Sequence, residues 1–343
     1  MAELKLSDGK IIGDYKTPYV IAEVNSSHNG SVETAREMIK AAFDSGCDCV
    51  KFQSWSPESL YSKSYYDKNP ISKRIVQKFS LNAQQLLDMA NYCHEIGIGF
   101  SSTPYSNEEV DFLVDECKIP FIKIASMEVN NPDFLEYIAK KGVPIILSTG
   151  MAELEEVKKA VKIIEEAGNK QICLLHCISI YPAAAETINL NNISMLRKEF
   201  PNYPIGFSDH TLGYGVACGA VALGVAVIEK HITLDKTKMG MDNNMAIEPD
   251  EMKALIENCK NVQKAMGSFE RIVTQAEYEQ RLKMRRSIIA TKDLSAGTIL
   301  TKDMLSAKRP GDGISPEKMN SIIGKKLKKD ICADCLIFEE DIE

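Results

Sequence analysis

Eight times between residues 19 and 266, a short apolar run rich in β-branched residues leads into a stretch with apolar residues at helical spacing. Strands alternating with helices at this interval predict βαβ units around a parallel sheet. Eight units in succession favour an α/β fold closed as a (β/α)8 TIM barrel over an open sheet. The expected strands are 19–24, 47–53, 98–102, 120–126, 143–148, 171–177, 203–208 and 225–231. Helices are expected at 31–45, 82–96, 107–116, 132–140, 153–167, 190–199 and 249–266, with a small-residue helix between the last two strands. Residues 1–18 read as a polar lead-in or edge hairpin, and 55–78 as a longer loop carrying aromatics and lysines.

After Arg285-Arg286 the pattern changes. Short β-runs alternate with turns such as Ser295-Ala296-Gly297 and Pro310-Gly311-Asp312-Gly313. The expected organisation is a barrel at 1–266, a charged helical linker at 267–285 and a small, mostly β domain at 286–343. A domain of about 60 residues is near the lower limit for independent stability, so it should lean on a barrel.

Composition removes several classes of partner. The net charge is -7 with no long basic run, which argues against nucleic acid. The N-terminus lacks the apolar core of a signal peptide, and no apolar run approaches the roughly 20 residues of a membrane span. The expectation is a cytoplasmic protein with no membrane partner. The ten cysteines are scattered, mostly in apolar runs, and read as reduced core thiols. Cys332 and Cys335 make one C-x-x-C, without the second pair or histidines that a zinc site wants.

The active site of a barrel is built at the C-terminal ends of its strands. Collected there are Glu23, His28, Lys51, Gln53, Lys123, Ser126, Glu128 and Ser148, then His176, Ser179, Tyr181, Ser208, His210, His231 and Asp242. Lysine is almost never fully buried without a partner, yet Lys51 and Lys123 each lie inside an apolar run. Two converging lysines want an anion, and the hydroxyls of Ser126, Ser148 and Ser208 would complete a phosphate or carboxylate site. His210 and His231 end adjacent strands, so their rings can converge on one divalent metal with open coordination positions. Two imidazoles without thiolate suit catalytic Mn²⁺ first, then Fe²⁺ or Co²⁺. Glu23 ends the first strand facing the same mouth and is the general-base candidate, or else a partner for a lysine.

These residues lie in motifs that resemble the sialic acid synthase family: I-A-E-V-N-S-S-H-N-G, V-K-F-Q, I-K-I-A-S-M-E, L-S-T-G-M, H-C-I-S-I-Y-P, G-F-S-D-H, I-E-K-H and G-M-D. K-R-P-G-D-G-I-S-P resembles that family's C-terminal antifreeze-like (SAF) domain, so the likeness runs from about residue 19 to the end. The resemblance implies an enzyme joining phosphoenolpyruvate to an N-acylated mannosamine-type sugar, with release of phosphate. It implies that Lys51, Lys123, Ser126, Ser148 and Ser208 hold phosphoenolpyruvate. His210 and His231 would hold the metal. Gln53, Glu128, Ser179, Tyr181 and Asp242 would lie against the sugar. It also implies a domain-swapped homodimer in which Arg309 reaches the partner's site.

The chain departs from the family pattern at Asn25-Ser26-Ser27-His28, at Ser179-Ile180 and over residues 240–246. These fall where the sugar would lie, so a 2,4-diacetamido-6-deoxy sugar, leading to legionaminic or pseudaminic acid, is the close alternative acceptor. From other classes, a barrel aldolase with Lys123 as Schiff base and a non-catalytic sugar- or ice-binding protein stay open.

Overall fold

The structure, a computed structural model, describes residues 1–238 and 240–343. Eight parallel strands form one sheet: Tyr19–Glu23, Cys49–Gln53, Gly99–Thr103, Ile122–Ile124, Ile145–Ser148, Ile172–Cys177, Ile205–Asp209 and Val227–His231, numbered first to eighth in chain order. The hydrogen-bonded order is third, second, first, eighth, seventh, sixth, fifth, fourth. The third and fourth strands lie side by side. Across their seam Ser101 Oγ donates to Phe121 O at 3.0 Å, and the sheet closes as a (β/α)8 barrel.

Side chains alternate faces along a strand, so each strand feeds two layers. Val20, Ala22, Val50, Ile122, Leu174, Phe207 and Ile228 point outward into the core shared with the helices. The residues between them, including Tyr19, Ile21, Cys49, Phe121, Cys173 and Val227, fill the barrel interior near its base. The lead-in is a hairpin of Glu3–Lys5 with Ile11–Gly13. Its Leu4, Leu6 and Ile12 join the interior cluster and stopper the barrel from below. Ser7 N donates to Pro120 O (2.9 Å), and buried Asp14 accepts from Ile205 N (3.1 Å), which fixes the stopper to the strand starts.

Two expected elements differ. Residues 55–78 form three short helices, Pro57–Leu60, Lys63–Lys68 and Pro70–Phe79, in place of a loop. Ser56 and Ser62 cap the first two and proline starts the third. The helix expected at 107–116 is α-helical only over Asn107–Asp111 and continues as a π-turn over Phe112–Glu116.

The chain divides into two compact units, Met1–Gly267 and Ser268–Glu343. The stretch expected as a linker belongs to the second unit. Its helix Gln275–Met284 opens with a Thr274–Glu277 capping box, and Gly311 N donates to Leu282 O at 2.7 Å. In that unit Ser287–Ala290 pairs antiparallel with Leu305–Lys308 over a small core that includes Ile288, Leu300, Ile314 and Ile337. Cys332 and Cys335 are disulfide-bonded, which corrects the expectation that all ten cysteines are free thiols. A tight turn, with Cys335 N donating to Cys332 O, holds their Cα atoms 5.4 Å apart, within bridging range. The other eight cysteines are free.

Candidate active site

The inward alternation continues above the apolar base and turns polar. Two residues beyond Ile21 stands Glu23, beyond Cys49 Lys51, beyond Phe121 Lys123, beyond Ile146 Ser148, and beyond Val227 Glu229. Glu229 is followed two residues later by His231. These side chains converge at the strand C-termini around a cavity of about 390 Å³.

Its floor is a closed charge cluster. Lys51 pairs with Glu23 and lies 3.8 Å from Glu229, while Lys123 lies 3.5 Å from Glu229. Lys51 Nζ also donates to Thr103 Oγ1 (3.2 Å), Lys123 Nζ to Ser148 Oγ (2.8 Å), and Ser208 Oγ to Glu229 (2.9 Å). Burial disfavours each charge, and the neighbours decide the outcome. For Glu229, burial is outweighed by Lys123, Lys51 and the Ser208 hydroxyl, which bring its carboxyl down to about 2. For Glu23, burial prevails over the pull of Lys51, and the Glu229 charge adds to it, so its carboxyl is raised. Burial likewise lowers Lys123. Two carboxylates pushed apart in this way are a fixed anion and a proton carrier.

Hydrogen bonds aim the proton carrier. Glu23 Oε1 accepts from Asn25 N (3.0 Å) and Gln53 Nε2 (3.2 Å). The first of these requires Asn25 in the left-handed region, φ 46. Gln53 is oriented in turn, because its Oε1 accepts from both Trp55 Nε1 (2.9 Å) and Tyr105 Oη (2.9 Å). Asn25 also contacts the Asp242 carboxylate. Ser126 Oγ accepts from Gly150 N at 2.9 Å, and a side chain at Gly150 would sit against that hydroxyl.

The His210 and His231 rings lie 5.4 Å apart, with Tyr181 against His210 at 4.3 Å. Ile178 O lies 2.7 Å from His210 Nδ1, which places the proton there and leaves Nε2 as the basic nitrogen. Burial, then His210 and the lysines, hold His231 neutral. Its buried Nδ1 has no hydrogen-bond partner and lies 3.8 Å from Asp242 Oδ2. A neutral imidazole with an orphaned lone pair, beside a second basic ring nitrogen, fits a divalent ion. Among the described residues no cluster of three or more His, Cys, Asp or Glu side chains offers a fuller ligand set. An ion held by these two rings alone would keep positions for water or substrate.

Of the residues expected at this site, Glu23, Lys51, Gln53, Lys123, Ser126, Ser148, Ser179, Tyr181, Ser208, His210, His231 and Asp242 all line the cavity. Glu128 does not; it lies in the turn Ser126–Glu128 and accepts from Asn131 Nδ2 (2.8 Å). Two of the four rim histidines are also displaced. His176 has outward parity, stacks on Phe207 and contacts Ile188 O at 2.6 Å. His28 packs on Phe52 and accepts from Gly30 N, and burial lowers its ring to about 4. Arg309 is exposed on the second unit, beyond the strand Leu305–Lys308. Glu229, Tyr105 and Cys177 line the cavity without having been assigned a role, and Asn25, noted only as a departure from the family pattern, lines it too. Glu229 shares inward parity with His231, and that signal was present in the sequence.

A family model described as the NeuB family matches residues 38–271, and a SAF domain model matches 285–343. The chain belongs to the NeuB family. It is 36% identical over 352 residues to the N,N'-diacetyllegionaminic acid synthase of Legionella pneumophila, covering 99% of this chain and 98% of that one. With the human N-acetylneuraminate-9-phosphate synthase it shares 34% over 350 residues, covering 99% and 97%. A crystal structure of the N-acetylneuraminic acid synthetase from Leptospira borgpetersenii, in complex with citrate, superposes with a TM-score of 0.74 at 30% identity over 81% of this chain and 94% of that one. The NeuB-family chain is thus an enzyme of sialic acid synthase type, with a TIM barrel followed by a SAF domain.

Two outcomes follow from this geometry. Lys123→Met should weaken phosphoenolpyruvate binding at least tenfold, since a charge-assisted contact is worth about 1.5–3 kcal/mol. Isothermal titration checks it, and an equal loss of sugar binding would point instead to a folding defect. His231→Ala should lose bound Mn²⁺ while His176→Ala retains it, read by metal analysis after dialysis. Retention of the metal by the first variant would remove His231 from the ligand set.

Proposed function

We propose that this enzyme condenses phosphoenolpyruvate with the open-chain aldehyde of an N-acylated mannosamine-type sugar, giving a nonulosonic acid and inorganic phosphate. The observation that carries the reading is the floor of the cavity. Lys51 and Lys123, each matched by a buried carboxylate, stand with the hydroxyls of Ser148 and Ser208 beneath the His210–His231 pair, where an anion that displaces Glu23 from Lys51 meets two ammonium groups. That arrangement suits a compact substrate carrying both phosphate and carboxylate.

C3 of phosphoenolpyruvate attacks the aldehyde carbon, and the aldehyde oxygen takes up a proton to become a hydroxyl. Water adds at C2, losing one proton, and as the C–O bond to phosphate breaks the new hydroxyl passes its remaining proton to the departing phosphate and leaves a ketone. A divalent ion at His210 and His231, Mn²⁺ by preference for two nitrogen donors, supplies Lewis acidity when bound. Glu23, aimed by Asn25 and Gln53, takes the proton from the attacking water. Lys51 and Lys123 hold the phosphate and carboxylate in line, and positioning of two reactants supplies much of the acceleration.

A second acceptor, a 2,4-diacetamido-6-deoxy hexose, is favoured by one feature of the mouth. Leu60, Tyr61, Met127, Met151 and Met241 line it, and Met151 is 71% exposed. Thioether and aromatic surface suits acetamido methyls and a deoxygenated carbon better than hydroxyls.

The assembly is proposed to be a domain-swapped dimer with Arg309 acting in the partner's site. In support, the segment leading into the SAF domain exposes Ile272 (62%), Tyr278 and Leu282, apolar surface that a second copy would cover.

The test of function is phosphate release from phosphoenolpyruvate with Mn²⁺ against a panel of acceptor sugars, with the product mass measured. No release with any N-acylated mannosamine or diacetamido sugar would sink the proposal. A base must be ionised, so kcat/KM should fall as pH drops through a value above the ordinary 4.5 of glutamate, and Glu23→Gln should abolish that limb. For the dimer, mixing inactive Arg309→Ala and Glu23→Ala dimers under subunit exchange should restore activity in the site that receives both wild-type residues. A mixture still dead after proven exchange argues for action in cis.

A further inference from the structure

Behind the barrel wall, one pair of side chains in the apolar layer is charged. Asp209 and Lys230 have outward parity, in the same layer as Phe207 and Ile228. Both are 0% exposed, and Lys230 Nζ lies 2.8 Å from Asp209 Oδ2. They are register partners on the seventh and eighth strands, and theirs is the last pair of that ladder. Each immediately precedes a histidine of the cavity, His210 or His231.

His231 is still held by the ladder, opposite Glu23 on the first strand. His210 lies one residue past the seventh strand, where no strand partner remains. Beyond the bond from Ala183 N to its carbonyl (3.0 Å), its backbone is fixed from both sides by this pair. Asp209 Oδ1 accepts from Thr211 N (2.9 Å) and Thr211 Oγ1 (2.8 Å), and Lys230 Nζ donates to Thr211 O. Residues 209 and 211 are thus tied to the residue that precedes His231.

A buried ion pair is a poor source of stability, because desolvation offsets the attraction and an apolar pair of similar volume often does as well. Geometry is what an apolar pair cannot reproduce. We infer that the Asp209–Lys230–Thr211 network is a positioning device that sets the spacing of His210 and His231 for a divalent ion. This rests on the reading of the two histidines as metal ligands.

The test is Mn²⁺ affinity, read from free Mn²⁺ by electron paramagnetic resonance. It compares the full-length parent, His231→Ala, and the double variant Asp209→Asn, Lys230→Met, with phosphoenolpyruvate affinity measured in parallel. Asn keeps an acceptor for Thr211, and Met fills the volume of lysine without its charge. The double variant should remain folded by circular dichroism and bind phosphoenolpyruvate like the parent, with Mn²⁺ binding weakened about 10- to 100-fold, as for other changes behind metal ligands. Mn²⁺ affinity within about twofold of the parent overturns the inference. A parent that binds no Mn²⁺, or a His231→Ala variant that binds it normally, overturns the metal reading and this one with it. Should the double variant fail to fold, Asp209→Glu keeps the charges and lengthens one side chain by a methylene. The same weakening is then expected, and unchanged affinity has the same overturning force.

Discussion

Four charges share the inside of this barrel, and the site depends on keeping them matched. An isolated buried lysine or carboxylate is strongly disfavoured. Lys51 with Glu23, and Lys123 with Glu229, make a cluster that is neutral overall before any substrate arrives. The serines take up what remains, Ser148 from Lys123 and Ser208 toward Glu229. In the proposed reaction, an entering phosphate would compete with Glu23 for Lys51. Glu23 would then lose the partner that holds its proton affinity down and become the stronger base. Substrate binding and readiness to accept a proton would thereby be coupled through one lysine.

The fold was legible because strand and helix periods alternate so regularly between residues 19 and 266. Lys51 and Lys123 were legible because a long cation within an apolar run has few bland explanations. What failed was parity. His176 sits one residue before the inward Cys177 and therefore faces the helices, although both end the same strand. Glu229, two residues before His231, faces the cavity for the same reason. Glu128 stands outside the cavity lining for another reason, since a tight turn replaces the strand at Ser126 and a period of two no longer applies. The helices over residues 57–79 are short, and their caps and prolines, rather than any apolar periodicity, define them.

The cavity is built from two kinds of material. Its floor comes from strand residues, whose positions the barrel fixes. Its mouth comes from connections: Asn25, Tyr61, Tyr181, Met241 and Asp242. Loops tolerate change that a closed sheet does not. Relatives of similar length carry the names of different acid synthases, and here the departures from the family pattern lie in those connections. On the proposed reading, reaction type and choice of acceptor would be carried by separable parts of the fold.

The hairpin beneath the barrel has a consequence for traffic. With Leu4, Leu6 and Ile12 packed into the lower end, the cavity opens on the side of the strand C-termini. In the proposed reaction, the molecule seated at the two lysines would pass the place where the sugar sits. Reactants stacked in this way would not arrive at random. The smaller, anionic molecule would enter first, and the sugar would then close over it like a cork. Departure would run the other way, with the bulky product clearing the mouth before the freed phosphate. A kinetic order would thereby be written into a feature on the far side of the barrel from the chemistry.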